Sequence, residues 1–167
     1  IDLTPGKNTK ALFFGWTRDQ TSMYFQSNSR NPKYFDLYKI DMETLETKVV
    51  FQNDMAYRYS SISENDKYLV FELNISRNED KMFLFDLETK EKIEISNKKA
   101  NYSGQGFDKN DETFFYTTNY EGEFYYLMSY NITSGKRDLV YKTNWDVRSS
   151  YLTKNNTYRV ISINEDA

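Results

Sequence analysis

Apolar and polar positions alternate over short runs along most of this chain, and the runs recur at a fixed spacing. WTRDQTSMYFQSN spans Trp16 to Asn28, ISENDKYLVFELN spans Ile62 to Asn74, FDKNDETFFYTTN spans Phe107 to Asn119, and LTKNNTYRVISIN spans Leu152 to Asn164. Their starts lie 46, 45 and 45 residues apart. Each copy reads as an apolar residue, a polar turn, a short strand and a terminal Asn. A second pattern keeps the period: YKIDMET around Asp41, FLFDLET around Asp86 and MSYNITS around Asn131. From each of these Asp or Asn residues to the next apolar start is 21 residues in all three copies. The extra residue of the first repeat therefore falls between Asn28 and Asp41, in NSRNPKYFD, which contains Pro32 and reads as a loop.

Each repeat holds four strand-like runs. In the second they are Tyr57–Ser63, Tyr68–Asn74, Lys81–Leu87 and Lys92–Ser96, joined by short turns rich in Asn, Asp, Glu and Lys. Asp41, Asp86 and Asn131 stand where a side-chain oxygen can accept backbone N–H groups and start a turn. Gly135 offers positive φ in the third copy, whereas Leu45 and Lys90 hold that place in the first two, so a different turn geometry is expected there. The inner strands are apolar on both faces. Met82 and Leu84 point one way and Phe83 and Phe85 the other, and Phe124-Tyr125-Tyr126-Leu127 is read in the same way. Strands buried on both faces belong to sheets stacked between other sheets. Four-stranded units of this period stacked around an axis make a β-propeller, and a flat sandwich explains the spacing less well.

The expectation is an all-β chain, a partial β-propeller with about three complete four-stranded antiparallel blades. Their approximate bounds are 11–53, 55–97 and 100–143, with a partial blade over 145–167 and Ile1–Thr4 as the last strand of a preceding blade. Three blades do not close a ring, so the expectation is self-association through open strand edges, or an alternative closure with Ile1–Thr4 beside the last two strands.

Composition narrows the chemistry. The chain has 167 residues, a net charge of −3 and no Cys or His. Without Cys there are no disulfides or thiolate sites, and without His the usual base of Ser and Cys hydrolases is missing. Lys98-Lys99 is too short to track phosphates, so nucleic acid is not an expected partner. No apolar stretch reaches the length of a membrane-crossing helix. The chain begins Ile1-Asp2-Leu3 rather than with Met, and is expected to be part of a longer product.

Glu64, Asp66 and Glu72 form a local acidic cluster, but it lacks the spacing and glycine of a calcium loop. Its repeat counterparts, Arg18/Gln20, Lys109/Asp111 and Lys154/Asn156, change charge while keeping turn character, so a turn is expected. Spacing alone also leaves open paired carboxylates for sugar chemistry. Tyr57-Arg58-Tyr59, Phe124-Tyr125-Tyr126, Trp16 and Trp145 are read as packing residues ahead of stacking platforms. The N-x-[ST] sequons at Asn74, Asn101, Asn131 and Asn155 need no explanation in so Asn-rich a chain. Arg58 and Arg148 occupy matching places in first strands, two periods apart with Ser103 between them. First strands of propellers line the central channel, so these arginines are candidates to meet a peptide carboxylate. The competing reading is a salt bridge across the channel.

The repeat resembles the TolB-like, WD-like propeller repeat, whose usual form is Ser-Pro-Asp-Gly-Lys, a strand, then an Asp-Leu-x-Thr-Gly hairpin. Here the turn is degraded to TRDQT, SENDK, DKNDE and TKNNT, while FDLETK and YNITSGK stay nearer the pattern. DLTPG at 2–6, FDLYKID at 35–41, TNWDVR at 143–148 and YRVISINEDA at 158–167 resemble segments of the N-terminal propeller of bacterial serine peptidases of the prolyl oligopeptidase family, in the acylaminoacyl/dipeptidyl peptidase-like branch. That resemblance implies a seven- or eight-bladed propeller that caps an α/β-hydrolase domain carrying a Ser-Asp-His triad and restricts entry to short or unstructured peptides. No triad residue maps onto this chain, which has no His and no G-x-S-x-G. The implied partners are the hydrolase domain of the same protein and a peptide substrate, with no cofactor. The compartment stays open, the periplasm being slightly favoured. A TolB-like periplasmic binding propeller without a peptidase, or a sugar-binding propeller, shares the repeat features.

Overall fold

Short strands closed by tight polar turns leave only one economical arrangement, the antiparallel meander, and the computed structural model shows it in every repeat. It describes residues 6–153, 155 and 157–166, so Ile1–Thr4 lies outside the described residues. All regular structure among these is strand. The chain divides into two units, residues 1–57 and 58–167.

The first unit is one sheet in the order β1 (Ala11–Trp16), β2 (Ser22–Asn31), β3 (Tyr34–Asp41) and β4 (Thr47–Phe51). Tyr24 and Phe25 on β2 and Leu37 and Ile40 on β3 are buried. Phe25 stacks on its cross-strand partner Tyr38 with ring centroids 5.2 Å apart. NSRNPKYFD, expected to be a loop, is mostly strand. Only Pro32 and Lys33 turn, and the register shift between Ser27 and Asn31 absorbs the slack as a bulge in a long hairpin.

The second unit has two further four-stranded sheets and a two-stranded one. The first is β5 (Arg58–Ile62), β6 (Tyr68–Ser76), β7 (Glu79–Asp86) and β8 (Lys92–Glu94). The second is β9 (Tyr102–Phe107), β10 (Thr113–Thr118), β11 (Tyr126–Asn131) and β12 (Arg137–Tyr141). The third pairs β13 (Asp146–Leu152) with β14 (Arg159–Asn164). The two-faced strands account for the stacking. Val70, Met82, Leu84 and Ile95 of one sheet share a core with Tyr102, Phe114, Tyr116 and Tyr130 of the next, while Phe71, Phe83 and Phe85 cluster on the opposite face. Phe124 and Tyr125 fall outside β11, contrary to the sequence reading. The Tyr125 backbone instead pairs with the neighbouring sheet, its N–H donating to Asp146 Oδ1 at 2.9 Å and its carbonyl accepting from Val147 N–H at 2.9 Å.

The turns overturn one expectation. Leu45 (φ 59°) and Lys90 (φ 65°) adopt the same left-handed conformation as Gly135 (φ 69°). The hydrogen bonds are the same in each copy. The N–H of Leu45, Lys90 and Gly135 donates at 2.9 Å to the carbonyl of Asp41, Asp86 and Asn131, whose side chains accept the N–H groups just after them. This is a type I turn closed by a left-handed residue, and the pairing fixes its geometry whatever residue stands there. Gln20, Asp66 and Asp111, each fourth in the turns TRDQT, SENDK and DKNDE, are left-handed in the same way.

A left-handed L-residue costs roughly 1–2 kcal/mol, which glycine avoids while giving up somewhat less in chain entropy. Leu45→Gly should therefore raise stability by about 0.5–1 kcal/mol, and Gly135→Ala should lower it by a similar amount. Urea titration reads both, with Trp16 reporting the first unit and Trp145 the second. Midpoints that fail to move in opposite directions would refute the assignment.

Candidate functional site

In the second unit β9 neighbours both β5 and β13, and the three strands begin, in order, near the repeat-equivalent residues Arg58, Ser103 and Arg148. All three residues line one cavity of about 380 Å³, together with Glu72, Asp80, Tyr125 and Asp146. The structure thus brings the two sequence-predicted arginines together but gives them unlike surroundings.

Arg58 sits directly opposite Glu72 in the β5–β6 ladder. Its guanidinium meets Glu72 at 3.2 Å and Asp80 at 3.4 Å. The observed salt bridges therefore stay within its own sheet. Asp80 is held further by donation from the Asn74 and Asn101 amides at 2.9 and 3.0 Å. Glu72 also accepts the Gly104 N–H at 2.9 Å, tying β6 to β9 of the next sheet. Burial pushes the Glu72 carboxyl up, against the pull of the Gly104 N–H and Arg58, and the nearby Asp80 charge adds to the rise.

Arg148 differs for two local reasons. It is the extra residue of a β-bulge, since Val147 pairs with Ile163 and Ser149 with Ser162 while Arg148 has no ladder partner. Bulges of this kind re-aim a side chain. Moreover, Ser162 holds the repeat place of Glu72, so no carboxylate faces Arg148 across the ladder. Arg148 is exposed and makes no ion pair among the described residues. Tyr125 lines the same cavity, and its hydroxyl has no hydrogen-bond partner among the described residues. Burial, and then the Asp80 and Asp146 carboxylates, raise that phenol above its usual value, so it keeps its proton at neutral pH.

The acidic cluster of the sequence does not exist as a site. Glu72 turns to Arg58, whereas Glu64 and Asp66 stay in the β5–β6 turn, where Asp111 of the next sheet accepts the Glu64 and Asn65 N–H groups at 3.0 and 2.9 Å. Among the described residues no group of three or more His, Cys, Asp or Glu side chains is placed to hold a metal. Trp145 packs on Phe124 with centroids 6.2 Å apart, Trp16 lies 6.0 Å from Phe13 in the first unit, and Tyr57 meets Phe51 edge-on. Of the sequon residues, Asn74 and Asn101 brace Asp80, and Asn131 and Asn155 accept turn hydrogen bonds. Asp80 and Asp146 escaped the sequence reading, and Tyr125 was read there as a packing residue rather than as part of this cavity. The only clue was a charged residue, Glu72, at an inward position of an otherwise apolar strand.

No family model matches the sequence, and no curated protein matches it. Solved structures match in shape. TolB from Acinetobacter baumannii superposes with a TM-score of 0.69 at 16% identity, over 91% of this chain and 37% of its own. One of a pair of prolyl endopeptidases gives 0.68 at 15% identity, over 94% of this chain and 25% of its own. An oligogalacturonate lyase in complex with manganese gives 0.58 at 16% identity, over 89% of this chain and 45% of its own. The chain therefore spans less than half the length of each of these three proteins. At such identities the likeness is one of fold, and that fold is the β-propeller type which the 45-residue repeat implies.

Proposed function

We propose that this chain is a non-catalytic propeller segment of a serine peptidase of the prolyl oligopeptidase family, in its acylaminoacyl/dipeptidyl peptidase-like branch. It scaffolds and gates peptide access to a separate α/β-hydrolase domain. The observation that carries this reading is the cavity at the head of β5, β9 and β13, which gathers Arg58 and Arg148 as hydrogen-bond donors in a chain with no histidine. Ser103 lies in the cavity, but its hydroxyl makes no hydrogen bond to a base among the described residues, so the arrangement suits binding rather than acyl transfer. The likeness to a prolyl endopeptidase over 94% of this chain supports the same reading.

The coding sequence beyond Ala167 tests it. A G-x-S-x-G elbow followed by Asp and His is expected, and a different domain there would sink the proposal. The purified chain should also release no p-nitroaniline from aminoacyl or peptidyl p-nitroanilides. Turnover by homogeneous protein would refute the non-catalytic assignment.

The likeness to TolB over 91% of this chain favours a second reading, a periplasmic protein-binding propeller with no peptidase. Retention of a cell-envelope protein on the immobilised chain, with no hydrolase domain in the gene, would select it.

A further inference from the structure

The hydrogen-bonding capacity left open in the cavity has a definite pattern. Arg58 Nη2 bridges Glu72 and Asp80, which also accept from Asn74, Asn101 and the Gly104 N–H. The Arg148 guanidinium and the Tyr125 hydroxyl make no hydrogen bond among the described residues. Asp146 uses Oδ1 for the Tyr125 N–H and leaves Oδ2 open. A planar guanidinium and a phenolic O–H lining one cavity supply donors that suit a carboxylate. The open carboxylate oxygen two residues before Arg148 repels a bare anion but accepts an N–H. A ligand with a carboxylate next to an amide N–H meets both requirements, and that is the C-terminal end of a peptide. The cavity volume of about 380 Å³ falls in the range of small-ligand sites.

We infer that this cavity binds the free C-terminus of a short peptide, with Arg148 and Tyr125 holding the carboxylate and Asp146 accepting the last peptide N–H. The inference rests on the peptide-gating reading only for the choice of a peptide as ligand. It separates the two arginines: Arg148 touches the ligand, and Arg58 braces Glu72 and Asp80.

Trp145 adjoins Asp146 and serves as the reporter once Trp16 is replaced by Phe. Fluorescence titration of Trp16→Phe protein with N-acetyl-trialanine as the free acid should saturate. The C-terminal amide should bind at least about tenfold more weakly, as loss of a charge-assisted contact predicts. Arg148→Ala should weaken the free acid by about tenfold or more, and Tyr125→Phe by roughly three- to tenfold. Acetate and digalacturonate serve as comparison ligands and should bind more weakly than the peptide acid. Absence of binding, equal binding of acid and amide, or unchanged binding by Arg148→Ala would overturn the site. Tighter binding of acetate or digalacturonate would overturn the peptide assignment. The coding sequence beyond Ala167 decides the hydrolase question independently, so either proposal can fail alone.

Discussion

Gly104→Ala is expected to destabilise the second unit by about 2 kcal/mol, within the range for overpacking a filled core. Gly104 lies on β9 where that strand packs against Ser60 of β5. A Cβ added there would land on Ser60 Oγ and within 2.9 Å of Phe114 Cζ. Ser60 can rotate, but Phe114 is fully buried and has nowhere to go. The same residue sends its N–H to Glu72, so any shift of β9 also loosens the contact that crosses between sheets. The repeat places Tyr59 and Ser149 at the equivalent positions, so the need for glycine belongs to this one crossing. The expected result is a lower urea midpoint read by Trp145. Adding Ser60→Gly should return part of the loss, with a coupling of about 1 kcal/mol. If the two substitutions prove additive, the close approach of β5 and β9 is not what glycine serves.

Gly104 also shows where the sequence stops being informative. Periodicity exposes what repeats. It fixed the strand count of each sheet, the placement of Asp41, Asp86 and Asn131 as turn starters, and the two-faced burial of Met82, Phe83, Leu84 and Phe85. The second-repeat strands matched their expected runs to within two residues at each end. What distinguishes one repeat from the next is set by contacts the period does not carry. Leu45 and Lys90 look unfit for a left-handed turn, yet ladder hydrogen bonds on both sides impose it on them. Phe124 and Tyr125 read as strand, but the Tyr125 backbone finds its partners in Asp146 and Val147 of the next sheet. Arg58 and Arg148 look equivalent at their repeat positions. A one-residue bulge and the exchange of Glu72 for Ser162 make one a brace and leave the other open. The candidate site was legible as a pair of arginines and illegible as an arrangement, because its lining comes from several strands and connections that the period does not bring together.

Asp36 anchors a buried polar network in the first unit. Its carboxylate is fully buried on β3 and is met by Arg30, whose Nη2 donates to Oδ1 at 2.8 Å and whose Nε donates to Oδ2 at 2.5 Å. It also accepts the Asn53 N–H at 2.8 Å, fastening the segment after β4 back onto β3. Asp36→Ala leaves that N–H and the guanidinium without their buried acceptor. The expected cost is about 3 kcal/mol, the low end for breaking a buried pair because Arg30 keeps partial access to water and to Asp54. The sign of the pH dependence is a sharper test. Burial alone would raise the Asp36 carboxyl, but Arg30 and the Asn53 N–H more than offset it and hold it below the ordinary 3.8. A depressed carboxyl stabilises the fold above pH 3.8 and loses that contribution as pH falls through its folded value. The Asp36→Ala penalty, read by Trp16 in urea, should therefore be largest near neutrality and shrink in acid. Arg30→Ala should behave in the opposite way. With the guanidinium gone, burial dominates and lifts the Asp36 carboxyl above 3.8, so this variant should gain stability as pH falls from 7 toward 4 while the parent does not. If Arg30→Ala instead tracks the parent over that range, Asp36 is reached by water in the folded state, and the network around it is peripheral to the stability of the sheet.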